Sequence, residues 1–388
     1  MFSKRIPPHS IPNALSQRVA DMREAGISFA DLTESNPTRA GFTYPEDLLR
    51  SLSRHEALTY DPRPFGLLSA REAVAADYAR RGATVDPGRV VLTASTSEAY
   101  SWLFKLLCNP GECVLVPRPS YPLFDHLTQL DGIHSEAYDL HYGLRWDIDL
   151  AGLEHAITGD TRAVLVVSPN NPTGSYISGK ERAGLTDICA KHNLALIADE
   201  VFVDYSLEGA EDRATDVSVQ TDAIAFSLGG LSKTVGLPQL KLGWIVVGGP
   251  APRVHETLAA LELVADSYLS VSTPVQVAAE DLLKRGGILR GQIHDRVRDN
   301  LRTLRREAGH HPSCEVFKVE GGWYAVVRVP AGRPEESLVL ELLQREHVLV
   351  HPGYFFDFAT EAYVIVSLLP PPDIFVDAVG RLLRHASL

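Results

Sequence analysis

A lysine, an aspartate, an asparagine and a run of hydroxyls each stand where the chain leaves a short apolar segment. Lys233 lies in Ser227-Leu228-Gly229-Gly230-Leu231-Ser232-Lys233-Thr234-Val235-Gly236, between the apolar runs 223–226 and 244–247. Glycines there permit close backbone approach, and an amine held between buried strands can act as a nucleophile that forms Schiff bases. Asp199 ends the apolar run 194–198, where a carboxylate needs a cationic partner. Asn171 sits in Ser168-Pro169-Asn170-Asn171-Pro172-Thr173-Gly174, just after the run 163–167. Ser95, Thr96 and Ser97 follow the run 89–93 and open a helical pattern, and hydroxyls with free N–H groups at a helix start suit a phosphate. Each has an ordinary reading too: a solvated lysine, a local ion pair, a turn, a helix cap. What favours a common site is their order, one after each of several successive strand-like runs.

The elements that must position these groups alternate. Short apolar runs are followed by helical patterns with start signals at Ser69-Ala70-Arg71-Glu72 and Ser95-Thr96-Ser97-Glu98, both read as capping boxes, and at Ser178-Gly179-Lys180-Glu181, read as a helix cap. Strand–helix alternation predicts an α/β fold with a mostly parallel, doubly wound sheet. Ligands of such sheets bind at the carboxyl ends of the strands, which puts Ser95, Asn171, Asp199 and Lys233 on one edge. From about residue 285 the pattern changes to arginine-rich helix and separate strand-like runs, which predicts a smaller α+β domain. The expected division is 1–50 as an N-terminal arm and part of the small domain, 51–285 as the large domain and 286–388 as the small C-terminal domain.

Bulk properties narrow the function. The chain has 388 residues, 45% hydrophobic and 22% charged, as expected of a soluble protein with more than one domain. A formal net charge of -12 and the lack of a long basic run argue against nucleic acid or an anionic membrane as partner. The N-terminus lacks the apolar core of a signal peptide, and no apolar run is long enough to span a bilayer. The 4 cysteines form no C-x-x-C pair, so a reducing, cytoplasmic location is expected. Ser232 stands where a phosphate loop needs glycine before its lysine, and the 14 histidines show no metal-ligand spacing. No G-x-S-x-G elbow is present.

With these motifs in view, the sequence resembles the class I/II aminotransferases, fold type I enzymes that depend on pyridoxal 5'-phosphate. The resemblance runs from about residue 31 to about residue 383. It is carried by the 168–174 motif, by Asp199-Glu200-Val201 and by Gly230-Leu231-Ser232-Lys233-Thr234 with Leu242-Gly243-Trp244. It implies that Lys233 forms the Schiff base with the cofactor and then moves the proton as general acid and base. It implies that Asp199 pairs with the pyridine nitrogen, that Asn171 bonds the phenolic oxygen and that Tyr121 stacks on the ring. Ser95, Thr96 and Ser97 match the phosphate-binding turn. Tyr60 matches a tyrosine that reaches the phosphate of the other subunit, which implies a homodimer with shared sites. The implied activity is transfer of an amino group between an amino acid and a 2-oxo acid.

Four positions depart from the family pattern. Phe202 replaces a tyrosine near the cofactor's phenolic oxygen. Lys241 replaces a phosphate-binding arginine, keeping the charge without the bidentate fork. Gly230 replaces a serine. In the C-terminal strand, Ile365 stands where the family carries the arginine that grips the substrate carboxylate. Arg39, Arg63, Arg118 and Arg328 are the candidate replacements, with Arg328 and Arg39 the more interesting. Two alternatives remain at this level: a lyase, decarboxylase or cyclase using the same cofactor, and a non-catalytic binding module of the same fold. Intact Lys233, Asp199 and Asn171 argue against the second.

Overall fold

The computed structural model describes residues 2–6, 13–207, 213, 214, 216 and 221–388. Its largest sheet has eight strands: β1 (Val90–Thr93), β2 (Cys113–Arg118), β3 (His134–Tyr142), β4 (Trp146–Ile148), β5 (Thr161–Val167), β6 (Ala195–Asp199), β7 (Ala225–Gly230) and β8 (Gly243–Gly248). They lie in the order β1-β8-β7-β6-β5-β2-β3-β4. The neighbours β7-β6, β6-β5, β5-β2 and β2-β3 pair in parallel, whereas β8 runs antiparallel to both β1 and β7, and β4 runs antiparallel to β3. Strands β6, β7 and β8 are buried along their whole length, because they lie inside a mostly parallel sheet covered on both faces, which leaves no polar side for alternation. The expected α/β architecture is therefore the observed one.

A second sheet of four strands is built from the C-terminal third: β9 (Glu315–Val316), β10 (Tyr324–Arg328), β11 (His351–Pro352) and β12 (Tyr363–Ser367), in the order β9-β10-β12-β11 and antiparallel throughout. The N-terminal arm joins this body. Ala30–Asp31 pairs in parallel with Val348–Leu349, and the Ser367 hydroxyl donates to the Glu34 carbonyl at 2.6 Å. The helix Pro372–Ala386 lays Phe375, Ala378, Val379, Leu382 and Leu383 against the same core at helical spacing. Large apolar side chains buried this way contribute roughly 1.5–3 kcal/mol each.

Neither of the two expected capping boxes forms in full, and the complete box stands at Ser178, where only a cap was expected. At Ser178 both halves are present, the hydroxyl accepting from the Glu181 N–H and the Glu181 carboxylate accepting from the Ser178 N–H. At Ser95 the hydroxyl caps as expected, but Glu98 reaches the Ala94 N–H at 2.6 Å instead of that of Ser95. The Ser69 box does not exist. That helix is Leu68–Arg80, it carries no local side-chain cap, and the Leu67 N–H is taken at 2.7 Å by the amide oxygen of Gln276. The glycine loop also needs correction. Strand β7 continues through Gly229 and Gly230, and only Leu231–Thr234 turns, as one short helical turn.

Candidate active site

The topology brings the carboxyl ends of β1, β5, β6 and β7 to one edge. Asp199 is the last residue of β6, with Val167 beside it on one strand and Leu228 on the other. Gly229 permits the tight packing here: a Cβ at that position would stand 2.4 Å from the Trp244 indole nitrogen. Gly243 does the same for the Ser95 turn, whose backbone carbon a Cβ would meet at 3.0 Å. The glycines of the Lys233 region thus let β8 slide under the turn that starts the helix Thr96–Leu107.

Lys233 projects from the short turn that follows β7, and three distant elements hold that turn by its carbonyl groups. The buried Tyr205 hydroxyl donates to the Lys233 carbonyl at 2.6 Å. The Arg290 guanidinium donates to that of Thr234 at 3.0 Å, and the Tyr44 hydroxyl donates to that of Gly236 at 2.6 Å. The amine lies over aromatic rings, 4.8 Å from the Trp323 centroid and 5.6 Å from that of Phe202. Desolvation there lowers its pKa to about 8, against the pull of the nearby Asp199 charge.

Asp199 is buried, and each of its oxygens accepts one hydrogen bond. One carboxylate oxygen accepts from the Tyr100 hydroxyl at 2.7 Å, and the other accepts from the Val201 N–H at 3.1 Å. Burial pushes the carboxyl pKa up, and the two donors and the Lys233 charge oppose that rise. Asn171 is buried with its side-chain oxygen unpartnered, and the amide nitrogen of buried Asn170 and the hydroxyl of buried Ser120 are unpartnered as well. Buried polar atoms lacking partners cost free energy, so these three ask for a ligand's polar groups. Ser95, Thr96 and Ser97 are half-buried at the start of a 12-residue helix. Ser95 Oγ accepts from the Glu98 N–H at 3.2 Å, whereas the hydroxyls of Thr96 and Ser97 take no part in the cap.

Phe202 is buried edge-on to Trp323 and to Tyr324, with centroids 5.2 and 6.4 Å away. Tyr121 neighbours Tyr324 and is 46% exposed in the single chain. Tyr60 is 74% exposed, and Lys241 is exposed with a left-handed φ of 51°. Lys233, Asp199 and Phe202 are thus brought together, whereas Tyr60 and Lys241 stand at the surface of this chain. Ile365 is fully buried on β12, and its strand register sets it beside Val326 and His351. Of the candidate arginines, Arg63 is paired with Asp61 at 2.8 Å, Arg118 with Asp139 at 2.7 Å and Arg328 with Glu315. Arg39 is exposed and has no ion pair among the described residues.

Tyr100, Tyr205, Trp323 and Tyr324 were absent from the sequence-derived set. Tyr100 falls four residues after Thr96, the spacing that returns a helix to the same face, which was the available signal. Trp323 follows a pair of glycines at the start of β10, a weaker one. The 4 cysteines are all free thiols. Among the described residues no helix is long and apolar enough to cross a membrane, and no group of three or more potential metal ligands exists.

Comparison with known proteins shows the family. The family model "Aminotransferase class I and II" matches residues 35–368. The chain is 30% identical to an alanine aminotransferase of Mycobacterium tuberculosis over 96% of this chain and 89% of the relative. It is 33% identical to a tyrosine aminotransferase of Homo sapiens over 82% of this chain and 71% of the relative. Among solved structures, an alanine aminotransferase from Pyrococcus furiosus superposes with a TM-score of 0.88 at 25% identity, covering 99% of each chain.

Proposed function

We propose, from the premise that the chain belongs to the class I and II aminotransferase family and transfers amino groups, that it does so with pyridoxal 5'-phosphate held at the carboxyl edge of the large sheet. The observation that carries this reading is the half-buried Lys233 beside buried Asp199, an amine packed against aromatic rings with its pKa lowered to about 8 near the charge of a carboxylate. The unpartnered atoms fit the same group. In this reading Ser95, Thr96 and Ser97 hold the phosphate at the helix N-terminus, with Lys241 as a further cation. Asn171, whose side-chain oxygen is unpartnered, would meet the phenolic oxygen with its amide N–H, and Asp199 would hold the protonated ring nitrogen. Tyr121 covers the ring face. Tyr60 serves the site of a second subunit, so the working form is a homodimer, and the compartment is the cytoplasm.

Bound there, pyridoxal phosphate supplies an aldehyde carbon that condenses with amines and a ring that accepts electrons from the substrate's Cα. The protein's share is proton handling and orientation. The Lys233 amine is neutral often enough near pH 8 to take the Cα proton, and its aromatic walls at Trp323 and Phe202 exclude water from it. Tyr100 and Val201 donate to Asp199, and both bonds favour its ionised form against the burial that opposes it. Phe202 offers no hydroxyl to the cofactor, so Asn171 alone serves the phenolic oxygen. The substrates are an amino acid and a 2-oxo acid. Because Ile365 provides no cation, the substrate carboxylate is assigned to Arg39, whose loop packs Pro37 near Gly236.

The test is direct. Purified protein is loaded with pyridoxal phosphate, reduced with borohydride and digested, and the labelled peptide is sought by mass spectrometry. Label on Lys233 is expected; label elsewhere, or none, refutes the cofactor reading. Amino donors are then added without acceptor. Stoichiometric pyridoxamine phosphate with the matching 2-oxo acid supports transfer, whereas released ammonia or carbon dioxide with the cofactor regenerated supports a lyase or decarboxylase.

A further inference from the structure

The helix Thr96–Leu107 touches the site twice. Its first turn offers the hydroxyls of Thr96 and Ser97, and Tyr100, one turn further on, donates its hydroxyl to Asp199 at 2.7 Å. Tyr100 is 2% exposed, and its ring is fixed against Phe104 at 6.0 Å and, edge-on, against Phe124 at 5.5 Å. A phenol held this way has one proton to give and one described acceptor. Asp199 needs it. The carboxylate is buried at the end of a fully buried strand, where desolvation favours its neutral, protonated form. A neutral carboxyl cannot hold a proton on a neighbouring pyridine nitrogen by charge. Donors aimed at the carboxylate favour the anion, and the structure supplies two: the Val201 N–H at 3.1 Å and the shorter bond from Tyr100.

We propose that Tyr100 is a positioning residue of the reaction, which keeps Asp199 ionised and fixes the plane of its carboxylate against the cofactor's ring nitrogen. The inference rests on the cofactor reading above. It makes one helix the common mount for both ends of the cofactor: its N-terminus faces the phosphate, and its Tyr100 sets the charge that faces the ring. Loss of the hydroxyl leaves the packing of the ring intact and removes one donor from a buried anion.

The experiment uses full-length apo-protein and pyridoxal phosphate labelled with nitrogen-15 in the ring. The nitrogen shift is followed against pH in the parent and in Tyr100→Phe. A hydrogen bond to a charged group corresponds to roughly 10- to 100-fold in a protonation equilibrium, so the midpoint of ring-nitrogen deprotonation should fall by about one to two pH units in Tyr100→Phe. An unchanged midpoint, with label still on Lys233, overturns the proposal and leaves the cofactor reading standing. A parent that never takes up the cofactor overturns both. Cofactor affinity in the Asp199→Asn background is the second measurement. With the anion gone, adding Tyr100→Phe should weaken binding less than about twofold, far below the effect expected on an ionised partner. An undiminished loss in that background would mean that the Tyr100 hydroxyl acts independently of the Asp199 charge, and would overturn the proposal as well.

Discussion

The Lys233 amine lies 4.8 Å from the centre of the Trp323 indole, a fully buried ring, with Asp199 as its nearby anion. The ring face offers a weak cation–π attraction and removes water, and the loss of water dominates, since the net effect is a lowered pKa.

The first prediction concerns that amine. Its reactive form is the neutral one, so attachment of pyridoxal phosphate to the apo-protein should accelerate as pH rises and level off above about 8. Stopped-flow absorbance across pH 6.5–9.5 measures this. Lys233→Ala should remove covalent attachment and reduce turnover by roughly 10²- to 10⁴-fold, the usual contribution of a positioned acid/base. A variant with undiminished turnover would overturn the assignment.

His351 gives the acid limb of stability. Burial lowers its pKa from 6.5 to about 4, so the folded state keeps the imidazole neutral. The unfolded chain binds that proton first, and stability from this residue is complete above pH 6.5 and is lost as pH falls from 6.5 towards about 4. Over that window the loss approaches about 3 kcal/mol at most. His351→Gln should flatten the acid side of a plot of urea midpoint against pH; an equally steep plot would count against the argument.

Ser178 tests the one complete capping box. Ser178→Ala removes the acceptor for the Glu181 N–H and should cost about 1 kcal/mol by urea denaturation, with the same slope. Ser69→Ala, at the box that does not form, should cost little by comparison.

Ile365→Arg restores the cation usual in the family. The position is fully buried among Val326 and the adjoining strand, so an unpaired guanidinium there should destabilise the protein by roughly 3 kcal/mol or more. A 2-oxo acid should recover part of that loss in a thermal-shift assay, while raising the parent's Tm less. No ligand-dependent recovery would mean that Ile365 does not face the substrate.

Much of this was legible from local pattern. Strand β12 occupies the residues expected of it, and Asp199, Asn171 and the Ser95 turn reach one edge because parallel strands all end there. What was not legible depends on residues far away in the chain. The Ser69 box reads well locally, yet Gln276, more than two hundred residues on, serves as the cap. The glycines at 229 and 230 read as a loop, but they are strand positions under the Trp244 ring. Arg328 looked free for a substrate until the fold supplied Glu315 across the strand pair. The four-residue spacing places Tyr100 on the same helix face as Thr96, but that its hydroxyl meets Asp199 depends on how the helix packs against β6, 99 residues away in the chain.

The three clamped carbonyls around Lys233 carry a mechanical consequence. Tyr205, Arg290 and Tyr44 come from the segment after β6, from the long helix Gly287–Ala308 and from the N-terminal arm. A pedestal tied from three directions has little travel of its own. If Lys233 moves the proton as proposed, the movement is left to the torsions of one four-carbon stem, while the backbone beneath it stays in place.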